Sequence, residues 1–407
     1  IILRFGRSNL MRVVQINSTC GIGSTGKIAV SISNLLSLNN IDNEILYSVS
    51  GNDCCKGISC GNSKDIKLQA LKSRLLGNYG FNSKKETKRI IDEIDAFSPD
   101  IVLIHNIHGH DCNLRMLFSY FIETKIKLFW LFHDCWAFTG YCTHFTFVKC
   151  DKWKKECRNC PQRKQYSWFL DRSSYLYQQK KKLFSNLDLT IITPSQWLAD
   201  LVKQSFLKNY PIQVINNGID LQVFKPISSN FRQKYNISED KYILLGVAFD
   251  WGMRKGLDVF IELSKRLDKN KFQIVLVGTD DSIDKMLPNS IISIHRTRDQ
   301  NELAEIYSAA DLFVNPTREE NYPTVNMESI ACGTPVLTFR TGGSPEILDE
   351  KTGYIVDCDD IDEMERQIIR ICKENVFSVD DCVAKAKLFD KDLRFKEYID
   401  LLLGEKR

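Results

Sequence analysis

Short apolar runs alternate along this chain with longer stretches in which apolar residues recur every three or four positions. Runs of four to seven apolar residues suit strands buried on both faces, and the periodic stretches suit helices laid over them. The pattern therefore predicts an α/β protein with parallel, doubly wound sheets. The first unit reads as a strand at Arg12 to Ile16, a glycine loop, a helix at Lys27 to Leu36 and a second strand at Glu44 to Ser50. Further strands are predicted at residues 100–104, 126–132, 189–193 and 213–215, and a second series at 242–247, 273–277, 312–315 and 336–339. Asn216-Asn217-Gly218-Ile219-Asp220 and Phe224-Lys225-Pro226 form a turn-rich passage between the two series. This places a domain junction near residue 226, giving domains 11–225 and 226–385 and a closing segment 386–407 whose Leu393 to Leu403 stretch is amphipathic.

A chain of 407 residues exceeds one core, which agrees with two domains. With 43% hydrophobic and 26% charged residues the composition is that of an ordinary globular protein, and no apolar run approaches the ~20 residues of a bilayer span. Residues 1–10 carry Arg4 and Arg7 without an apolar core or cleavage site, so they do not read as a secretory signal, and Met11 reads as the start of the fold. Fourteen cysteines in a large chain without such a signal point to reduced, buried or metal-bound thiols and a cytosolic compartment. Formal net charge is only +4, yet residues 145–182 hold eleven Lys/Arg against three Asp/Glu. That excess suits a solvated face, anionic headgroups or a diphosphate-lipid acceptor, and with it peripheral contact at the inner face of the plasma membrane. Nothing in the pattern suggests nucleic-acid binding.

Gly21-Ile22-Gly23-Ser24-Thr25-Gly26 satisfies G-x-G-x-x-G between a strand and a helix. A nicotinamide site wants an acid at the end of the second strand, where this chain has Ser48 and Ser50, and a phosphate-binding Walker loop wants Ser or Thr after Lys27, where it has Ile28. What remains is backbone able to approach a ligand closely at a helix end that favours negative charge.

The most telling stretch pairs Glu320 with Glu328, then continues Ser-Ile-Ala-Cys-Gly-Thr-Pro-Val and Thr341-Gly342-Gly343-Ser344-Pro345-Glu346. Pro323 suits the first turn of a helix, which puts Glu320 on a loop, Glu328 two turns into the helix and the N–H groups of residues 323–326 between them. An anion seat flanked by two carboxylates suits a sugar nucleotide, with diphosphate on the helix end and hydroxyls on the acids. His133 and Asp134 follow a predicted strand, at the sheet edge where open α/β folds bind ligands. Arg254 and Lys255 lie in Gly246-Val-Ala-Phe-Asp-Trp-Gly-Met-Arg-Lys-Gly-Leu257 after another.

These motifs resemble the retaining glycosyltransferase family 4: the E-x7-E pair, the small-residue helix, the G-T-P-V strand, the G-G-x-x-E loop and the N-G-[VI]-D…F-x-P junction. The resemblance implies a GT-B architecture of two Rossmann-like domains facing a cleft, acceptor on the first and nucleotide sugar on the second, with the C-terminal helix crossing back. It implies that Glu328 binds ribose, that Glu320 faces the transferred sugar and that Tyr322, Pro323 and Thr324 adjoin the donor. Arg254 and Lys255 would take the diphosphate, Gly23 would lie near donor phosphate and His133 would orient or deprotonate the acceptor hydroxyl. The family pattern has arginine where this chain has Val247, so a catalytically inactive nucleotide-binding protein on the same scaffold is the rival reading. No catalytic metal is implied, because Asp357-Cys358-Asp359, the one D-x-D match considered, falls in a polar turn. The donor would be a UDP- or GDP-sugar and the acceptor a glycan or lipid-linked oligosaccharide.

Cys142, Cys150, Cys157 and Cys160 have spacing C-x7-C-x6-C-x2-C, which suits a structural tetrahedral zinc; separately buried thiols or a disulfide stay open. The segment 133–161 that contains them resembles an insertion in a subset of bacterial exopolysaccharide glycosyltransferases, colanic-acid-type enzymes included.

Overall fold

The computed structural model describes residues 11–52 and 56–404, so the reading of residues 1–10 lies outside the described residues. One compact unit runs to Ile215 and takes in the residues from Phe395 onward; the other is Asn216–Arg394. The first holds a parallel sheet of β1 (Arg12–Cys20), β2 (Asp42–Gly51), β3 (Gly57–Ser59), β4 (Ile101–Ile104), β5 (Lys127–Leu131), β6 (Leu189–Thr193) and β7 (Ile212–Val214), in the order β3-β2-β1-β4-β5-β6-β7. The second holds β8 (Tyr242–Val247), β9 (Phe272–Val277), β10 (Ile291–Ile294), β11 (Leu312–Asn315), β12 (Val336–Phe339) and β13 (Gly353–Val356), in the order β10-β9-β8-β11-β12-β13, again parallel.

Both sheets are covered as the apolar runs require: Ile101 to Ile104 are buried throughout, and so are Val336 to Phe339. The strands that the apolar pattern did not predict, β3, β10 and β13, all lie at sheet edges, where a short strand needs little apolar sequence. The helix predicted from Lys27 begins at Gly23, because the glycine loop itself winds the first turn.

The division falls at residue 216 because the turn-rich passage packs into the second unit. The Ile219 N–H donates to Phe389 O at 2.8 Å, the Lys391 N–H returns to Ile219 O at 3.0 Å, and Phe224 enters the second core. A side chain at Gly218 would stand 2.5 Å from Lys391 Cα, so only glycine allows that approach. Within the helix Lys391–Leu403, Phe395, Tyr398, Ile399 and Leu402 bury against Val13, Ile28, Ile32 and Leu103 of the first unit. Among the described residues no helix is long and apolar enough to cross a membrane.

Each strand order reverses direction once, between β1 and β4 in the first sheet and between β8 and β11 in the second. At such a reversal the loops leaving the two strands splay apart, opening a crevice at the carboxyl edge where ligands bind.

Candidate active site

In the second unit the crevice is bordered by the segment after β8, which carries Arg254 and Lys255, and the segment after β11, which carries Glu320 to Thr324. Lys255 Nζ meets Glu320 Oε2 at 2.5 Å, both side chains about one-fifth exposed. Pro323 is extended (φ −73°, ψ 113°) and is the N-cap of the helix Thr324–Ala331, not a member of its first turn. Glu328 is therefore the fifth residue of that helix, one turn in and not two. Proline has no N–H, and Asn326 donates its own to Pro323 O at 3.2 Å, which leaves the N–H groups of Thr324 and Val325 to face an anion. Glu328 Oε2 accepts from Tyr307 Oη at 3.2 Å; Tyr307 is buried, which pushes its hydroxyl well above the usual range and keeps it a donor. Tyr322 buries its ring in the apolar core, so it supports the loop more than it lines it.

Arg254 is half-buried and its guanidinium has no partner among the described residues. Val247, where the family pattern has arginine, ends β8 against apolar neighbours. Two devices hold the crevice in shape, of which the sequence reading missed the first. Arg318, nearly buried, pairs with both oxygens of Asp258 at 2.8 Å and with Asp359 at 2.6 Å, donates to Met253 O, and its N–H reaches Arg254 O at 2.8 Å. It thus ties the two bordering segments together. Gly342 has φ +54°, and a Cβ there would lie 1.8 Å from Glu320 O, while the Gly343 N–H donates to Asn321 O at 2.8 Å. The glycine pair is a seat for the Glu320 backbone. Asp357 and Asp359 are engaged by Arg340 and Arg318. His295 is exposed and pairs with Asp284 at 2.6 Å.

In the first unit the reversal lies between the glycine loop after β1 and His105 directly after β4. Gly23 opens its helix with φ +67°, and a Cβ there would meet nothing within 4 Å, so the loop presents open backbone. Gly26 is the tight one: a Cβ would stand 2.9 Å from Thr19 Oγ1. His133, two residues beyond β5, stacks on His105 with ring centroids 5.6 Å apart.

A hydrogen-bond chain fixes how these rings are protonated. Gln15 Nε2 donates to Ala29 O at 3.0 Å, which turns Gln15 Oε1 to His105 Nε2 at 2.9 Å. His105 Nε2 therefore carries the proton and its Nδ1 accepts from His133 Nε2 at 3.3 Å. The lone pair of a neutral His133 then stands on Nδ1. Burial, with His133 beside it, holds His105 well below the usual histidine range; burial, opposed by Asp134 and aided by His108, brings His133 to about 4. His108 behaves oppositely: burial lowers it, but Asp134 at 2.8 Å raises it further, and Asp134 itself, against its own burial, is held at about 2 by His108. Two neutral imidazoles thus adjoin an imidazolium–carboxylate pair. The sequence signal for the missed members was His105-Asn-Ile-His108 immediately after an apolar strand.

Of the four insertion cysteines, Cys142 and Cys160 approach to 3.9 Å between sulfurs. No three of these sulfurs lie within 4.8 Å of one another, so the tetrahedral set that the spacing suits is not closed.

Two family models match the chain: Glycosyltransferase Family 4 over residues 69–223 and Glycosyl transferases group 1 over residues 228–388. Escherichia coli WcaC, whose name assigns it a glycosyl transferase role in colanic acid biosynthesis, is 23% identical over 312 residues, 74% of each chain. N-acetyl-alpha-D-glucosaminyl L-malate synthase of Bacillus anthracis is 28% identical over 173 residues, 41% of this chain and 45% of that protein. Among solved structures, a sucrose-phosphate synthase from Thermosynechococcus elongatus superposes with TM-score 0.72 at 16% identity, over 97% of this chain and 98% of that one. HepE of Anabaena, in complex with UDP and glucose, superposes with TM-score 0.65 at 14% identity, over 97% and 100%. Those likenesses carry the fold, and the matched models carry the activity. The chain belongs to the family 4 glycosyltransferases, GT-B enzymes of hexosyltransferase type.

Proposed function

We propose that the chain is a retaining enzyme of polysaccharide biosynthesis that moves a sugar from a UDP- or GDP-sugar to a glycan or lipid-linked oligosaccharide. The observation that carries the donor half is the Lys255–Glu320 pair beside the start of the helix bearing Glu328. The Thr324 and Val325 N–H groups, Lys255 and Arg254 neutralise the leaving diphosphate as its charge develops. Glu328, oriented by Tyr307, takes the ribose hydroxyls, and Glu320 takes the transferred sugar. Retention is supported by the likeness of this glutamate pair to the family signature. A divalent cation is not needed in this reading, since four cationic or N–H groups share the work and the D-x-D carboxylates are committed to arginines. His133 accepts the acceptor hydroxyl's proton at Nδ1. Calorimetric titration with UDP and with GDP tests the donor half. Glu328→Ala removes a charged hydrogen-bond partner, worth ~1.5–3 kcal/mol, so affinity should fall roughly ten- to a hundredfold; unchanged affinity refutes the assignment.

A lipid-linked acceptor at an anionic membrane is supported by an exposed apolar patch in the first unit. Leu75 and Leu76 end one helix, and Trp168, Phe169 (70% exposed) and Leu170 lie alongside, joined by the Trp168 N–H to Arg74 O bond of 2.8 Å. Lys72, Arg74, Arg163, Lys164 and Arg172 flank these residues in the chain, each cation worth about 1 kcal/mol near an anionic leaflet. Co-sedimentation with phosphatidylglycerol vesicles should exceed that with phosphatidylcholine and drop in Trp168→Ser/Phe169→Ser. Equal sedimentation of the variant refutes the patch.

A further inference from the structure

We propose that Cys142, Cys150, Cys157 and Cys160 hold a structural zinc as four thiolates. All four line one small cavity in the insertion together with Trp153 and Ser173. Zinc–sulfur bonds of ~2.3 Å in a tetrahedron separate the sulfurs by ~3.8 Å, whereas a disulfide brings them to ~2.0 Å. Cys142 and Cys160, at 3.9 Å, match the first spacing.

Hydrogen-bond donors face two of the four sulfurs. The Gly140 N–H donates to Cys157 Sγ at 3.2 Å, and the Gln162 N–H, two residues on, points at Cys160 Sγ. Trp153 Nε1, about 1% exposed and without a partner among the described residues, is a further donor on the cavity wall. Lys180 is wholly buried; its Nζ donates to Trp136 O at 2.7 Å and Thr139 O at 3.1 Å and lies 3.6 Å from the Trp136 ring centre. Those partners are neutral, and burial brings Lys180 down to about 7. The acids facing it are Cys157, Asp134 and Cys142, and Asp134 is already paired with His108. Four thiolates round a divalent cation leave a double negative charge, which answers Lys180. On binding, the four thiols give their protons to solvent.

The consequence for the site is mechanical. The insertion begins at His133 and Asp134, and Lys180 holds the Trp136–Thr139 turn that follows them. A metal that fixes the loop fixes the position of those two side chains.

The test is metal analysis of the full chain purified without added zinc, with cobalt substitution and thiol counting. One zinc per chain is expected, together with cobalt bands of tetrahedral thiolate coordination. Cys150→Ser and Cys157→Ser should each lose the metal, Cys372→Ser, in the second unit, should keep it, and Cys150→His should retain it with an altered cobalt spectrum. The His variant distinguishes lost ligation from lost folding. A metal-free chain with all four thiols reactive, a Cys142–Cys160 disulfide by mass spectrometry, or zinc retained in Cys150→Ser/Cys157→Ser would each overturn the proposal.

Discussion

Gly342→Ala tests whether the glycine seat positions Glu320. A methyl group at residue 342 would lie 1.8 Å from Glu320 O and 2.7 Å from Glu320 C, where non-bonded carbon and oxygen need more than 3 Å. Something must therefore move by about an ångström. Residue 342 cannot retreat easily, because Thr341 Oγ1 donates to Thr317 O at 2.7 Å and the Gly343 N–H to Asn321 O at 2.8 Å. The displacement passes to Glu320 and to its contact with Lys255. Alanine at φ +54° adds about 1–2 kcal/mol of left-handed strain, and forced overpacking costs about 1–3 kcal/mol. Together these should destabilise the second unit by about 2–5 kcal/mol, lowering its thermal midpoint by roughly 4–20 °C. A catalytic carboxylate misplaced by an ångström costs about a hundredfold in rate. Gly252→Ala is the control, since a Cβ there meets nothing within 4 Å and its φ of 178° is extended. Differential scanning calorimetry and donor hydrolysis or transfer rates read both effects. If Gly342→Ala melts and turns over like the parent, Glu320 is not seated by this loop.

Acid should destabilise the first unit. Its neutral histidines resist protonation when folded, while the unfolded chain takes protons up below about pH 6.5, so the unfolded state binds more protons between pH 6.5 and 4 and stability falls with pH through that window. With its folded value at about 4, His133 alone should cost about 2 kcal/mol between pH 7 and 5, and His110, also brought to about 4 by burial and then by Arg74 and His108, adds less because it is more open. His108, raised by Asp134, works in the opposite sense. Denaturant melts of the parent and His133→Asn should show a shallower acid limb in the variant; equal slopes refute the assignment. Gln15→Leu removes the acceptor that sets the His105 tautomer, so transfer should fall roughly fivefold with nucleotide affinity unchanged. An unaltered rate and pH profile would remove Gln15 and His105 from the relay.

The sequence by itself determined the architecture, because buried parallel strands must be continuous apolar runs. Strands at residues 189–193, 242–247, 312–315 and 336–339 fall where the pattern put them. It also marked Glu320, Glu328 and the glycine pair, which share one stretch of chain, and Lys255 in the separate segment after β8. What it left out depends on strand order. Gln15 and His105, which it missed, and His133, which it marked, lie on or just after β1, β4 and β5, far apart in the chain and adjacent only because the sheet pairs β4 between β1 and β5. Arg318 likewise looks like one more surface cation until β8 and β11 are paired and the segments that follow them must be tied. Helix caps belong to the same class: whether Pro323 enters the helix or caps it is settled by the backbone entering from β11, so the placement of Glu328 shifted by a turn. Periodicity records which side of an element is dry. Only the pairing of elements decides which distant side chains share a proton or a charge.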